Sequence, residues 1–382
     1  MDGVAVLGVG MTPFGKLVGP TPIELARDAG LQALADAGID LAQVGEAFVG
    51  YMQASPMTGI KAMKEFGLTG LPVTHVENAS ATGLVAFREA AWAVSSGRCD
   101  VAMALGFEKL NEMGGGGGGR GTGRDQIDSP ILPAAYFALW AKRRMHERGT
   151  KPEHFAWVAA KNWNHGRENP LCHRRADHEV TVEEVLASPM VAEPLTAMMC
   201  CPVSDGAACA IVAREEIARS LQPDRPLVRV LSSALQSETY SPGHTFLGPV
   251  VGPATMTRDT ARQAYEEAGI GPEEVSFALV HDAFSNEELE YYELLGFCGD
   301  GEAEKLVEER QTALGGRIPF NTDGGLVSRG HPGGPTGLAQ IYEVAGQLRG
   351  EAGPRQVEGA RVGLAHLVGG GSVCTVSLLA RD

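Results

Sequence analysis

The stretch VENASATGLVAFREA, residues 76 to 90, sets a serine on a sharp turn and follows it at once with a helix that opens on small residues. Ser80, Ala81, Thr82 and Gly83 are small enough to bury a helix N-terminus, whose unpaired backbone N–H groups then point at whatever binds beside Ser80. That is an oxyanion-binding geometry. The same window also reads as an ordinary capped helix, in which Asn78 or Ser80 accepts from first-turn amides while Leu84, Val85 and Phe87 enter the core.

Outward from this turn the pattern is regular. GVAVLGVGMTPF (3–14) reads as a buried strand, TPIELARDAGLQALADAGI (21–39) as a capped amphipathic helix closed by Gly38, and EAFVGYM (46–52) as a strand. A helix and loop over 56–70, a strand in PVTHVENA (72–79), the Ser80 helix and a strand in CDVAMALGFEKL (99–110) complete a β-α-β-α-β-α-β order, the mark of a mainly parallel sheet covered by helices. VAMALG (101–106) is apolar on both faces and is expected to be an edge strand that a second copy covers.

Residues 111 to 195 interrupt this order with six glycines at 114–119 and a polar, helix-containing segment with Trp140, Trp157 and Trp163, which reads either as a cover for a site or as a spacer. A helical piece, EEVLASPMVAEPL (183–195), then leads into a strand expected over MMCCPVSDGAACAIVA (198–213). From PLVRVLSSAL (226–235) the first half repeats: RDAGLQALADAGIDLAQV (27–44) aligns without a gap on RDTARQAYEEAGIGPEEV (258–275), and TGL at 82–84 recurs at 336–338. An internal duplication of a βαβαβ unit follows, with loops of both copies meeting near the middle.

Composition narrows the function classes. The 382 residues are 44% hydrophobic and 21% charged, as in a globular protein, and a formal charge of −15 argues against a nucleic-acid surface. No run reaches the length of a membrane helix and no leader opens the chain, so a cytoplasmic protein is expected. Seven scattered cysteines lack CxxC spacing, which indicates neither a disulfide framework nor a metal site.

Three loops of the second half carry candidate chemistry. His281 and Asp282 stand where a strand gives way to a helix, so the imidazole can donate to a developing oxyanion, or merely cap that helix. Glycines surround His331 and Pro332 in NTDGGLVSRGHPGGPTG (321–337) and let backbone approach a ligand closely. In AHLVGGGSVC (365–374), Gly369, Gly370 and Gly371 expose N–H groups with His366 just before them, or simply turn the chain into its last strand. Asp282 and Asn286 are read as helix-capping groups.

Taken together, ENASATG, KNWNH (161–165), CCPVSDGAA (200–208), HDAF (281–284), NTDGGLVSRGHPGGPTGLAQ (321–340) and HLVGGG resemble, in order and spacing, the thiolase superfamily and specifically its sterol-carrier-protein type. The resemblance implies an α/β fold, an αβαβα sandwich of two duplicated halves with mixed five-stranded sheets: residues 1–110 with 196–224, residues 225–382, and an inserted loop domain over 111–195. It also implies a coenzyme A thioester as substrate or product with no tightly bound cofactor, a homodimer, and a small zinc-ribbon accessory protein as a further partner. Ser80 stands at the place of the family's nucleophilic Cys, His331 matches the His that activates it, and His281 opens the oxyanion-site motif. The amides of Ser80 and of Gly369 to Gly371 match the second oxyanion hole, and His366 is the substitute base for a second Cys.

Two positions depart from the family pattern: Ser80 replaces the nucleophilic Cys, and Ala283 replaces the Cys of the HDCF motif. A thiolate forms readily beside an imidazole, whereas a serine hydroxyl must lose its proton during attack. HDAF (281–284) and the GHP around His331 are nevertheless kept, so the resemblance implies Claisen-type acyl transfer through Ser80 as the expected reaction. Retro-aldol cleavage of a β-hydroxyacyl-CoA without a covalent intermediate is the alternative, and a non-catalytic acyl-CoA-binding subunit the third reading.

Overall fold

The computed structural model describes residues 1, 3–112, 133–239 and 254–382; the glycine run at 114–119 lies outside the described residues. Among the described residues the strands, in chain order, are β1 Val4–Met11, β2 Glu46–Gly50, β3 Val73–Val76, β4 Val101–Lys109, β5 Met190–Ala192, β6 Leu195–Thr196, β7 Asp205–Arg214, β8 Val228–Ser237, β9 Phe277–Leu279, β10 Val362–Gly369 and β11 Val373–Arg381. The helices are α1 Pro22–Ala37, α2 Thr58–Lys64, α3 Thr82–Ser95, α4 Pro133–Arg148, α5 Pro152–Arg167, α6 Val182–Ala187, α7 Glu215–Leu221, α8 Ala254–Ala268, α9 Ser285–Leu294, α10 Ala303–Glu308, α11 Gly325–Arg329 and α12 Thr336–Arg349.

The duplication is visible in the strand order. The first half runs β3-β2-β4-β7-β1 and the second runs β9-β10-β11-β8, with Phe320 bridging Ala278 as a fifth strand shrunk to one residue. The two sheets meet where β1 pairs with β8 through Ala5–Arg229 and Val6–Val228, so a single nine-stranded ladder results. It folds over at that seam. Helices α3 and α12 lie between the two sheets, α1 covers the outer face of the first, and α8 covers the outer face of the second. The core divides accordingly into a central layer around α3 and α12 and two outer layers.

Local signals set the helices. Thr21 and Glu24 form a reciprocal capping box, Pro22 occupies the first turn, and Gly38 ends α1 in the left-handed region at φ 69°. Helix α6 stops at Ala187, ahead of Pro189, where the helix expected over 183–195 gives way to the small β5–β6 hairpin. The strand expected from 198 begins only at Asp205, since Pro202 has no N–H for a ladder. VAMALG proves to be internal: β4 is flanked by β2 and β7, and its double-sided apolar pattern reflects burial on both faces. The open edge of this half is β3.

Helices α4 and α5, from the inserted segment, pack on α9 and α11, which flank His281 and His331. Among the described residues no helix is long and apolar enough to cross a membrane.

Candidate active site

The Ser80 turn is tight because of Ala79, which takes φ 49°, a conformation that side chains with a Cβ seldom adopt. Two contacts hold it: Asn78 N donates to Thr82 Oγ1 at 2.8 Å, and Ala79 N donates to Glu77 Oε1 at 2.7 Å. The first helical amides, Ala81 and Thr82, bond the main-chain oxygens of Asn78 and Ala79. Neither the Asn78 side chain nor the Ser80 hydroxyl caps α3, so the hydroxyl is left for another partner.

That partner is His331, whose Nε2 lies 3.0 Å from Ser80 Oγ. The imidazole is fixed on its far side by Thr336 Oγ1, 2.9 Å from Nδ1, and its backbone N–H donates to Ser204 Oγ at 3.3 Å. Gly330, at φ 107°, lets the chain pass Ser204, whose hydroxyl a Cβ would meet. His331 is half-buried, and the protein mass around it, then His281 and Arg329, hold the imidazole well below its ordinary range. It is neutral at pH 7.

His281 stands across from it, with ring centroids 5.4 Å apart and the rings nearly perpendicular. It is buried, at 4% exposure, and its Nδ1 lies 2.9 Å from Glu287 Oε1 in the first turn of α9. Glu287 is itself held by Phe284 N at 3.1 Å and by the Tyr291 hydroxyl at 3.3 Å. A carboxylate oxygen can only accept, so the proton in this contact sits on Nδ1. Among the described residues Nε2 makes no hydrogen bond.

The glycine turn meets the Ser80 turn directly. A Cβ on Gly369 would strike the Asn78 carbonyl, and Gly370 and Gly371 reverse the chain at φ 56° and 77°. His366 is fully buried on β10, with its ring centroid 4.3 Å from that of Tyr291. Neither of its nitrogens has a hydrogen-bond partner among the described residues, and burial holds its pKa down to about 3. Strand alternation turns residue 366 toward α9 and away from Ser80.

Asp282 does not cap the helix that follows it. Its carboxylate accepts from Leu326 N at 2.6 Å, so it caps α11 across the molecule, and it takes Asn162 Nδ2 at 2.8 Å. Burial and the nearby Glu288 raise its pKa well above the carboxylate range. Asn286 is buried in α9, and its Oδ1 has no hydrogen-bond partner among the described residues. KNWNH is structural too: Lys161 pairs with Glu288, Asn162 ties Asp282 to Glu288, and His165 Nδ1 meets Asn321 O at 3.0 Å.

Sequence reasoning missed Glu287, Thr336 and Ser204. Glu287 left a signal as an acid six residues after His281 at the start of a helix, and Thr336 as the repeat of Thr82. Among the described residues no cluster suited to a metal ion occurs.

Comparison with known proteins bears on the fold and the family. The chain matches the family "Thiolase, N-terminal domain" over residues 4–118 and "Thiolase C-terminal domain-like" over residues 250–381. Sterol carrier protein 2 of Rattus norvegicus is 38% identical over 98% of this chain and 71% of the relative. The acetyl-CoA acetyltransferase of Methanothermobacter thermautotrophicus is 38% identical over the whole of both chains, at 100% coverage. Among solved structures, the Ltp2-ChsH2(DUF35) aldolase superposes with a TM-score of 0.86 at 26% identity, covering 100% of this chain and 98% of the other. Human mitochondrial 3-ketoacyl-CoA thiolase superposes with a TM-score of 0.73 at 16% identity, covering 100% and 99%. The chain belongs to the thiolase superfamily, and its α/β architecture is the thiolase fold.

Proposed function

We propose that the protein cleaves, or in reverse forms, the Cα–Cβ bond of a β-hydroxyacyl-CoA by aldol chemistry, with His281 as the base. The observation that carries this reading is the position of the carboxylate: Glu287 backs His281 at 2.9 Å, whereas His331 is backed by the hydroxyl of Thr336. A carboxylate on Nδ1 fixes the tautomer and stabilises the imidazolium that forms once Nε2 accepts a proton. His331 has no such support, and its pKa is pushed down, so it is a poor base for a serine hydroxyl. In the proposed step His281 Nε2 takes the β-hydroxyl proton, the Cα–Cβ electrons move onto the thioester carbonyl, and a carbonyl product leaves. The backbone amides of Ser80 and the Gly369 to Gly371 turn stabilise the enolate oxygen.

Support also comes from the aldolase neighbour. Coenzyme A enters and leaves as part of the substrate and product, and a homodimer and a small accessory subunit belong to the same reading, the latter because that neighbour's name pairs Ltp2 with ChsH2(DUF35).

A second reading, Claisen-type acyl transfer through an acyl-Ser80, is favoured by the 3.0 Å contact between Ser80 Oγ and His331 Nε2 and by the acetyltransferase relative. Ser80→Ala separates the two. Under aldol chemistry it removes one hydrogen bond, about 1 kcal/mol or about fivefold in rate. An acyl adduct on the Ser80 peptide during turnover, detected by mass spectrometry, together with a dead Ser80→Ala variant, would overturn the aldol reading.

A further inference from the structure

An aldol cleavage that ends in an enolate needs a group to return a proton to Cα, and no residue placed above does so. We propose that Cys201 is that acid. The inference rests on the enolate reading and adds a residue to it.

The segment Cys200 to Ser204 crosses the site as a strap between the two histidine loops. At one end Cys200 bridges Phe284 in antiparallel fashion and Cys201 N donates to Ala283 O at 2.8 Å. At the other end Val203 bridges His331 in parallel fashion, and Ser204 Oγ accepts from His331 N at 3.3 Å. Antiparallel pairing puts directly opposed side chains on one face. Cys201 therefore shares a face with Ala283, two residues beyond His281, and sits two residues before the bridge to His331. Ala283 has only a methyl group, which leaves the thiol as the acidic hydrogen on that face.

The two adjacent cysteines differ as this role requires. Cys200 shares the opposite face with Phe284, which stacks on Phe137 at 4.3 Å in the core, and its thiol donates to Thr196 O at 3.2 Å. The Cys201 thiol has no hydrogen-bond partner among the described residues, and the residue is only partly buried. Burial, then Cys200, raises its pKa, against the opposing pull of Arg174, and the carboxylates of Asp282 and Glu287 add to the rise. The thiol is thus held protonated on the face that Cys201 shares with Ala283.

The protons balance without an added reagent. His281 accepts the β-hydroxyl proton, the enolate Cα takes the Cys201 proton, and the His281 imidazolium reprotonates the thiolate directly or through one water, so both groups return to their starting states.

The test is hydrogen–deuterium exchange at Cα of acetyl-CoA in D2O, read by mass spectrometry, beside release of the carbonyl product from a β-hydroxyacyl-CoA. Exchange is expected in the wild type and in Cys200→Ala, and should fall on the order of 100-fold in Cys201→Ala. Cys201→Ser, which restores a weaker acid at the same place, should lie between them, with circular dichroism showing that each variant is folded. Wild-type exchange in Cys201→Ala would overturn the role of Cys201 while leaving the aldol reading standing. No exchange and no carbonyl release from the wild type would overturn the reading and the inference together.

Discussion

The two halves carry the same helix start and use it differently. Thr82-Gly83-Leu84 opens α3 and Thr336-Gly337-Leu338 opens α12, and each threonine hydroxyl reaches back a few residues. Thr82 accepts the backbone N–H of Asn78, which fixes the main chain of the turn that presents Ser80. Thr336 meets the ring of His331, which fixes a side chain. Duplication therefore supplied one scaffold, and divergence made its first copy a holder of backbone and its second a holder of an imidazole. The hydroxyl comes from one half and both imidazoles from the other.

The largest test of that division removes the carboxylate-backed base. His281→Ala and Glu287→Gln should each lower aldol turnover by about 100- to 10,000-fold. A loss of only a few fold in steady-state kcat would move the chemistry to the pair formed by Ser80 and His331. Next in size is a group that ties the halves together. Glu108 is fully buried and accepts from Met52 N at 2.8 Å, from Gln53 N at 3.1 Å and from Gly334 N in the His331 loop. Burial outweighs these bonds and raises its pKa to about 7. The folded state thus favours the protonated acid, so this contribution to stability is full below about pH 4.5 and is lost as pH rises through about 7, a change of about 3 kcal/mol. Urea titrations of wild type and Glu108→Gln at pH 4.5 to 8 should differ by that slope, and parallel pH profiles would refute it.

Smaller effects probe the joint and the holders. A Cβ on Gly337 would meet the backbone of Leu84, and one on Gly83 would meet the backbone of Gly334, Gly337 and Leu338. Gly337→Ala should cost about 2 kcal/mol in denaturant unfolding, because backbone cannot rotate away; an unchanged midpoint would mean that the two turns are less closely coupled than their contacts imply. Thr336→Val should cost about 1 kcal/mol, about fivefold in any reaction that uses His331, and leave His281-dependent exchange untouched.

What the sequence made legible was what repeats or turns sharply. The gapless match of 27–44 to 258–275 announced two halves, and the turns at Ser80, His281 and His331 stood out because glycine, proline and small residues cluster where backbone must come close. Contacts set by the third dimension left no such mark. Ser204 reaches His331 across 127 positions, and Asp282 caps α11 across 44. Alternation along β10 turns His366 toward Tyr291 and away from Ser80, although the glycine turn follows it closely in sequence. For β4, apolarity on both faces was read as an open edge when it marks a strand with neighbours on either side.

The contact of Gly83 with Gly337 also limits how the protein can adapt. Side chains at a joint offer rotamers, and a reactive centre mounted on them can breathe with each substrate. Here main chain lies against main chain, so the spacing between the turn that carries Ser80 and the helix start that holds His331 is set by peptide geometry. Evolution toward a bulkier or more branched substrate has no slack to draw on at this hinge-less junction, and must instead reshape the walls that stand away from it.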